Sequence, residues 1–256
     1  MLIRHLMLAA LVLVTACGAP APAPFTDPMV IGDTDPVRFS GRQPTTYPVQ
    51  GMDAARFQTS VDWERAKAVG IEFVFLKATE GGDLLDPAFQ DHWRGAGRAG
   101  IKRGAYHFYY FCTAPEVQAQ FFIRTAPKTR GSLPPVLDME WNPFSPTCQR
   151  RPDAATVQDE MRRWLDLVTA HYGQRPIIYT TPGFYEDAQL NTFKGYEFWL
   201  RTTAKTPAEA YPGQPWRFWQ YTATGTLPNT AGSVDINAFN GSTADWEAWL
   251  DRRTIR

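Results

Sequence analysis

The residues best placed by type and spacing to do chemistry are Asp138 and Glu140, separated by Met139 after the apolar run Leu133-Pro134-Pro135-Val136-Leu137. Residues 135–140 read as a β-strand. On a strand, positions i and i+2 point to one face, with Cα atoms roughly 6–7 Å apart. Two carboxyl groups held side by side in a cleft do not ionise independently; one keeps its proton to higher pH than the other. That split makes a proton donor and a charge stabiliser from one residue type, the division of labour that hydrolysis of a glycosidic bond uses. Two solvated acids in a loop would show the same tripeptide, so the elements around it have to decide.

Several other strand-like segments carry a polar or ionisable residue near one end: Asp53, Lys77, His107, Tyr179, Gln220 and Asp235. Residues 47–53, 73–78, 102–110, 135–140 and 175–179 read as strands. Helices read over 61–69, stopped by Gly70; over 87–99; over 115–125, with Pro115 in the first turn; and over 154–171. The last shows an apolar stripe of Val157, Met161, Trp164, Leu165 and Val168 and ends at Gly173. After Tyr179 the alternation weakens: 196–200, 217–221 and 234–239 read as short strands with little helix between, and 245–250 as a closing helix. Strand–helix alternation with near-continuous apolar strands predicts a parallel sheet covered by helices. Polar groups recurring at strand ends point to the active rim of a βα barrel. A doubly wound sheet would gather them too, but no Gly-rich phosphate loop follows any strand.

The N-terminus speaks to compartment. Residues 1–16 read as a signal peptide, with Arg4 and His5 before an apolar stretch, 6–14, too short to span a bilayer. Val14-Thr15-Ala16-Cys17 resembles a bacterial lipobox, which predicts lipidation of Cys17 and a membrane anchor; signal cleavage with Cys17 incidental is the alternative. Gly18 rather than Asp after Cys17 favours the outer membrane where a cell has two. Residues 17–45, Ala/Pro-rich behind Cys17, suit a semi-rigid tether. Residues 46–256 then form one sizeable domain. The remaining cysteines, Cys112 and Cys148, form an even pair in an exported chain and predict one disulfide between two rim loops; free thiols are the alternative. Their spacing, with only 4 His, gives no zinc pattern, and neither a metal nor an organic cofactor is predicted. The 26 basic and 26 acidic residues balance, leaving no basic bias for nucleic acid. The chain is expected to act as a monomer.

Gly51-Met52-Asp53, followed by Gln58 and Asp62-Trp63, resembles the opening motif of glycoside hydrolase family 25, the Chalaropsis-type lysozymes (N-acetylmuramidases). The segments 75–81, 104–109, 135–140, 176–180, 198–200, 219–221 and 234–237 resemble the family's later motifs in order. Together the motifs cover about 49–250. The resemblance implies an α/β fold, a modified TIM-like (β/α) barrel with eight strands and fewer than eight helices. It also implies hydrolysis of the β-1,4 bond between N-acetylmuramic acid and N-acetylglucosamine in peptidoglycan. Carried over residue by residue, it makes Glu140 the general acid and Asp138 the group that orients the 2-acetamido substituent. Asp53 and Asp235 would complete an acidic cleft, and Tyr179 would bond near the acetamido group. Tyr106, His107, Trp199 and Gln220 are candidates for substrate contact, with Trp199 and Trp219 read as cleft or barrel lining. Lys77 and Glu80 join them as a salt bridge supporting the rim.

Two positions depart from the family pattern. Asp53-Ala54-Ala55 stands where Asp-Val-Ser is usual, and Arg201 where Ala often follows Trp-Leu. Like-charge repulsion from Asp138, Asp53 and Asp235 is expected to keep Glu140 protonated. The acetamido oxygen is expected to act as nucleophile, with an inverting route through Asp53 or Asp235 as the alternative. A glycan-binding lipoprotein without activity, and a chitinase or N-acetylhexosaminidase on a similar barrel, are the rival readings.

Overall fold

A computed structural model describes residues 30–256. The predicted signal peptide, Cys17 and the Ala/Pro run behind it lie outside the described residues. The strands are β1 (Gly32–Asp33), β2 (Gln50–Ala54), β3 (Ile71–Glu80), β4 (Leu84–Leu85), β5 (Lys102–Phe108), β6 (Val136–Met139), β7 (Ile177–Thr180), β8 (Phe198–Arg201), β9 (Phe218–Thr226) and β10 (Val234–Phe239). The short β4 pairs with β3, and β1 with β9. The other eight close a barrel in the order β2-β3-β5-β6-β7-β8-β9-β10 and back to β2.

Seven of those eight strands run parallel, and β10 runs antiparallel to both its neighbours. The expectation of a wholly parallel sheet therefore fails at one strand. The connection before β10, residues 227–233, turns through left-handed Asn229 (φ 55) and Gly232 (φ 79). It is too short for a crossover helix, so the chain can only return antiparallel. Asp235, near the start of β10, thereby reaches the same rim as Asp53 near the end of β2, and the two are register partners.

The described residues hold seven α-helices: α1 (Trp63–Ala68), α2 (Phe89–Arg98), α3 (Pro115–Thr125), α4 (Ala154–Tyr172), α5 (Pro182–Asp187), α6 (Pro207–Ala210) and α7 (Thr243–Arg253). Local chemistry sets their ends. The Asp62 carboxylate accepts from the Arg65 N–H at the start of α1, and Asp153 accepts from the Thr156 N–H at the start of α4. Gly173 closes α4 in the left-handed region, φ 72. Helices α5 and α6, of 6 and 4 residues, are too short to show a helical stripe in the sequence and were not expected there.

Side chains alternate across the barrel wall. Phe73, Phe75, Val136, Ile177, Trp199, Phe218 and Phe239 fill the interior, while Val74, Leu76, Leu137, Met139, Ile178, Leu200 and Ile236 face the outer core. Gly51 is required here: a Cβ would lie 2.5 Å from the Phe73 ring. Trp246 and Trp249 of α7, stacked at 5.4 Å, seal the barrel end opposite the catalytic rim against Phe73, Phe218 and Phe239. Trp219 corrects one expectation. It sits one residue from inward-facing Gln220, so it points outward, edge-on to Phe39 with ring centroids 4.8 Å apart. That contact also moves the domain boundary. Residues 30–45 were expected to be tether, yet β1 pairs with β9 and buried Phe39 docks on Trp219, so the ordered fold begins before residue 46.

Candidate active site

The residue two positions beyond a barrel-filling side chain points into the barrel mouth. Asp53 follows Gly51 in this way, as Lys77 follows Phe75, Asp138 and then Glu140 follow Val136, Tyr179 follows Ile177, Arg201 follows Trp199, and Gln220 follows Phe218. With Asp235, Tyr106 and Phe57 they line a cleft of about 420 Å³. A smaller cavity of about 140 Å³ shares Glu140 and is lined further by Tyr110, Trp141, Arg150 and Arg151. Its walls are the loops after β5 and β6, which the predicted disulfide Cys112–Cys148 joins, with Cα atoms 5.7 Å apart.

Asp53 is the most heavily bonded of the four acids. Its Oδ2 accepts from Gln220 Nε2 and Asn237 Nδ2, each at 2.8 Å. Gln220 Oε1 in turn accepts from the Tyr179 hydroxyl (2.8 Å), and Asn237 Oδ1 accepts from Trp199 Nε1 (2.7 Å). Asp53 also hydrogen-bonds to Asp235. Burial, reinforced by the Asp235 charge, pushes the Asp53 carboxyl well above its ordinary value. Burial raises Asp235 to about 6, against the pull of Arg201 and the bond from Asp53. Burial, and at Asp53 the repulsion from Asp235, thus make this pair hold protons to higher pH than an ordinary aspartate does.

The second pair behaves alike. Burial lifts Asp138 well above the usual carboxylate range, with Glu140 adding to it and Lys77 opposing it. Glu140 is raised mainly by burial, with Arg201 and Lys77 opposing and Asp235 a smaller upward contribution. The expectation that like charges dominate is thus corrected: desolvation does most of the work. Asp138 Oδ1 is buried without a hydrogen-bond partner among the described residues. An oxygen so placed carries a desolvation penalty that a bound donor would relieve.

The remaining candidates separate by face. Tyr106 and Lys77 line the cleft. Lys77 pairs with Glu80, which is buried behind it and does not itself line the cleft. Burial alone would raise Glu80, but hydrogen bonds from Lys77 and Tyr110 hold it below the ordinary range. Trp199 forms the cleft floor, stacked on Phe75 at 4.6 Å and only 2% exposed, so it cannot lie flat on a sugar. His107 lies outside the cleft. One residue from inward Tyr106, it turns outward, fully buried, with Nδ1 2.8 Å from Thr79 Oγ1 and Nε2 3.0 Å from Gln118 Oε1. Burial lowers its pKa to about 4, so it is a neutral wall residue. Asn237, Arg201 and Phe57 were absent from the expected site. Asn237 follows Asp235 by two, and Arg201 follows Trp199 by two, a signal the sequence carried. No group of three or more His, Cys, Asp or Glu among the described residues is arranged to hold a metal.

A closed βα barrel with two carboxyl pairs at its mouth, each retaining protons to raised pH, defines a barrel glycoside hydrolase. The profile of Glycosyl hydrolases family 25 matches residues 52–230. The chain is 32% identical to the uncharacterized protein YegX of Escherichia coli strain K12 over 218 residues, covering 83% of this chain and 77% of that one. It is 35% identical to lysozyme M1 of Streptomyces globisporus over 214 residues, 78% and 70% of the two chains. Its fold superimposes on the bacterial lysozyme of Streptomyces coelicolor with a TM-score of 0.72 at 31% identity, covering 81% of this chain and 99% of that one. The chain belongs to glycosyl hydrolases family 25 and is a glycoside hydrolase.

Proposed function

We propose that this glycoside hydrolase is a lysozyme that cuts peptidoglycan at the β-1,4 bond between N-acetylmuramic acid and N-acetylglucosamine, with Glu140 as general acid. The observation that carries the reading is the Asp138–Glu140 pair: two proton-retaining carboxyl groups on one strand exit, one open to the cleft, the other buried with an unpartnered oxygen. Glu140 gives its proton to the leaving glycosidic oxygen. Asp138 takes the N–H of the 2-acetamido group on Oδ1 and turns the acetamido carbonyl toward the anomeric carbon. The bond from that oxygen to the anomeric carbon forms as the glycosidic bond breaks. Water then adds to the anomeric carbon of the cyclic oxazolinium, reopening the ring; Glu140, now a carboxylate, takes the water's proton and the anomer is retained.

The other groups support these steps. Asp235 supplies negative charge near the oxocarbenium-like transition state. Asp53 is tied to Gln220, Asn237 and Asp235, which favours a framework role over activating a water and so favours the retaining route over inversion. The Tyr179 hydroxyl donates to Gln220 and keeps its oxygen lone pairs for the substrate. Tyr106 and Lys77 form walls and Gln220 orients Asp53, while Glu80 acts only by fixing Lys77. The lysozyme names of the relatives support export, and the lipobox-like Cys17 supports an anchored lipoprotein.

Mass analysis of the fragments released from purified peptidoglycan tests this reading. Products ending in reducing N-acetylmuramic acid are expected. Reducing N-acetylglucosamine ends would move the cut to the other bond, and release of ends from chitin oligomers alone would favour the chitinase reading. No release from either polymer would favour the non-catalytic binder.

A further inference from the structure

We propose that Arg201 is the anion-binding residue of the cleft, contacting a carboxylate of the glycan: that of the lactyl ether on the muramic ring or one on its attached peptide. The inference rests on the peptidoglycan reading above and adds a specificity determinant to it.

Arg201 is the last residue of β8. Two residues beyond barrel-filling Trp199, its side chain enters the mouth, where it lines the cleft with Asp53, Glu140, Tyr179, Gln220 and Asp235. Its backbone is fixed on two sides. The Arg201 carbonyl accepts from the Tyr211 hydroxyl at 2.6 Å, and the next N–H, that of Thr202, donates to the Gln220 carbonyl at 3.1 Å. The guanidinium is aimed by the strand rather than carried on a mobile loop.

Its surroundings are acidic, and the charge is felt: Arg201 opposes the upward drift of Asp53, Glu140 and Asp235. Yet among the described residues its side chain enters no ion pair within 4.0 Å and no hydrogen bond. The neighbouring cations are engaged: Lys77 with Glu80, and Arg56 over the Phe57 ring at 5.0 Å. An arginine serving only to neutralise the acids would sit in a fork against one of them. This one keeps its planar array of five N–H donors for a ligand, and that array matches a carboxylate. A cleft with so many carboxyl groups repels an anionic glycan; one positioned cation offsets that repulsion and prefers carboxylate-bearing strands to neutral N-acetylhexosamine polymers.

The test compares wild type, Arg201→Ala and Arg201→Lys on four substrates: purified peptidoglycan, strands stripped of peptide by an amidase, which frees the lactyl carboxylate that the peptide otherwise caps as an amide, and each of these with its carboxylates amidated by carbodiimide and ammonia. Amidation is expected to lower wild-type kcat/KM by about tenfold on the material that carries the contacted carboxylate, intact for a peptide carboxylate and stripped for the lactyl one, mostly through KM, the scale of one charge-assisted contact at a partly exposed site. That native-to-amidated ratio should fall to about one in Arg201→Ala and take an intermediate value in Arg201→Lys, whose point charge lacks the fork. Dependence on Arg201 that appears on stripped strands assigns the lactyl carboxylate; dependence confined to intact material assigns the peptide. A ratio near ten in Arg201→Ala, or a ratio of one in wild type on both intact and stripped strands, overturns the proposal, as does a variant that moves only the pH profile. Product masses from the same reactions report the bond cut, so failure of the anion contact is distinguishable from failure of the lysozyme reading.

Discussion

Asp235 has a carboxyl group whose placement burdens the fold. Burial raises its pKa from 3.8 to about 6. The folded state therefore binds this proton more tightly than the unfolded chain. Its contribution to stability is complete below about pH 4 and is lost as pH rises through about 6. Asp235→Asn removes the ionisation and still accepts a bond from Asp53. It should raise the unfolding free energy at pH 7.5 by roughly 1–2 kcal/mol, allowing for the solvent that reaches the group, and by little at pH 4. Thermal melts of both proteins at the two pH values check this; an equal gain at both would contradict the assigned ionisation. Activity should fall in the same variant, the usual conflict between a strained site and stability. At this scale the sequence was legible through one rule, the period of two. It gathers Asp53, Asp138, Glu140, Tyr179 and Gln220 at the mouth and, applied one residue further, excludes His107 and Trp219. What it could not supply was solvent exposure, which is why burial rather than like charge proved to govern Glu140.

The elements that hold these residues differ in how plainly the sequence announced them. Helix α4 was readable from its stripe, its Asp153 cap and Gly173, whereas α5 and α6 begin at prolines and end within two turns. The reversal of β10 was not readable from the strand itself, because direction is set by the short turn before it. The loops after β5 and β6 depend on Cys112–Cys148, which closes a chain separation of 36 residues. Loop-closure entropy makes such a crosslink worth about 4 kcal/mol. The double variant Cys112→Ser/Cys148→Ser, or the wild type in reductant, should melt roughly 10 °C lower. It should also lose activity, because the bridged loop from Trp141 to Cys148 walls the cavity beside Glu140. An unchanged melting temperature under reducing conditions, with both thiols titratable, would contradict a structural role for the bridge.

The molecule as a whole is a barrel with one end sealed by Trp246 and Trp249 and the other opened as an acidic cleft. The order of its strands and the thinning of its helices after β7 were visible in the sequence. The start of the domain was not, because a stretch punctuated by Pro and Gly hides the buried Phe39 that ties it to β9. Cys17 would hold this barrel at a membrane. Cys17→Ser should move the protein from the membrane pellet to the soluble fraction of the cell envelope without changing kcat on isolated peptidoglycan; a variant that still pellets would refute the lipid anchor. The central claim is that Glu140 delivers the proton that breaks the glycan. The direct measurement is kcat of Glu140→Gln on purified peptidoglycan, with its melting temperature recorded alongside. The predicted result is a loss of about a thousandfold or more in a protein that melts no lower than wild type; a near-native rate would contradict the assignment.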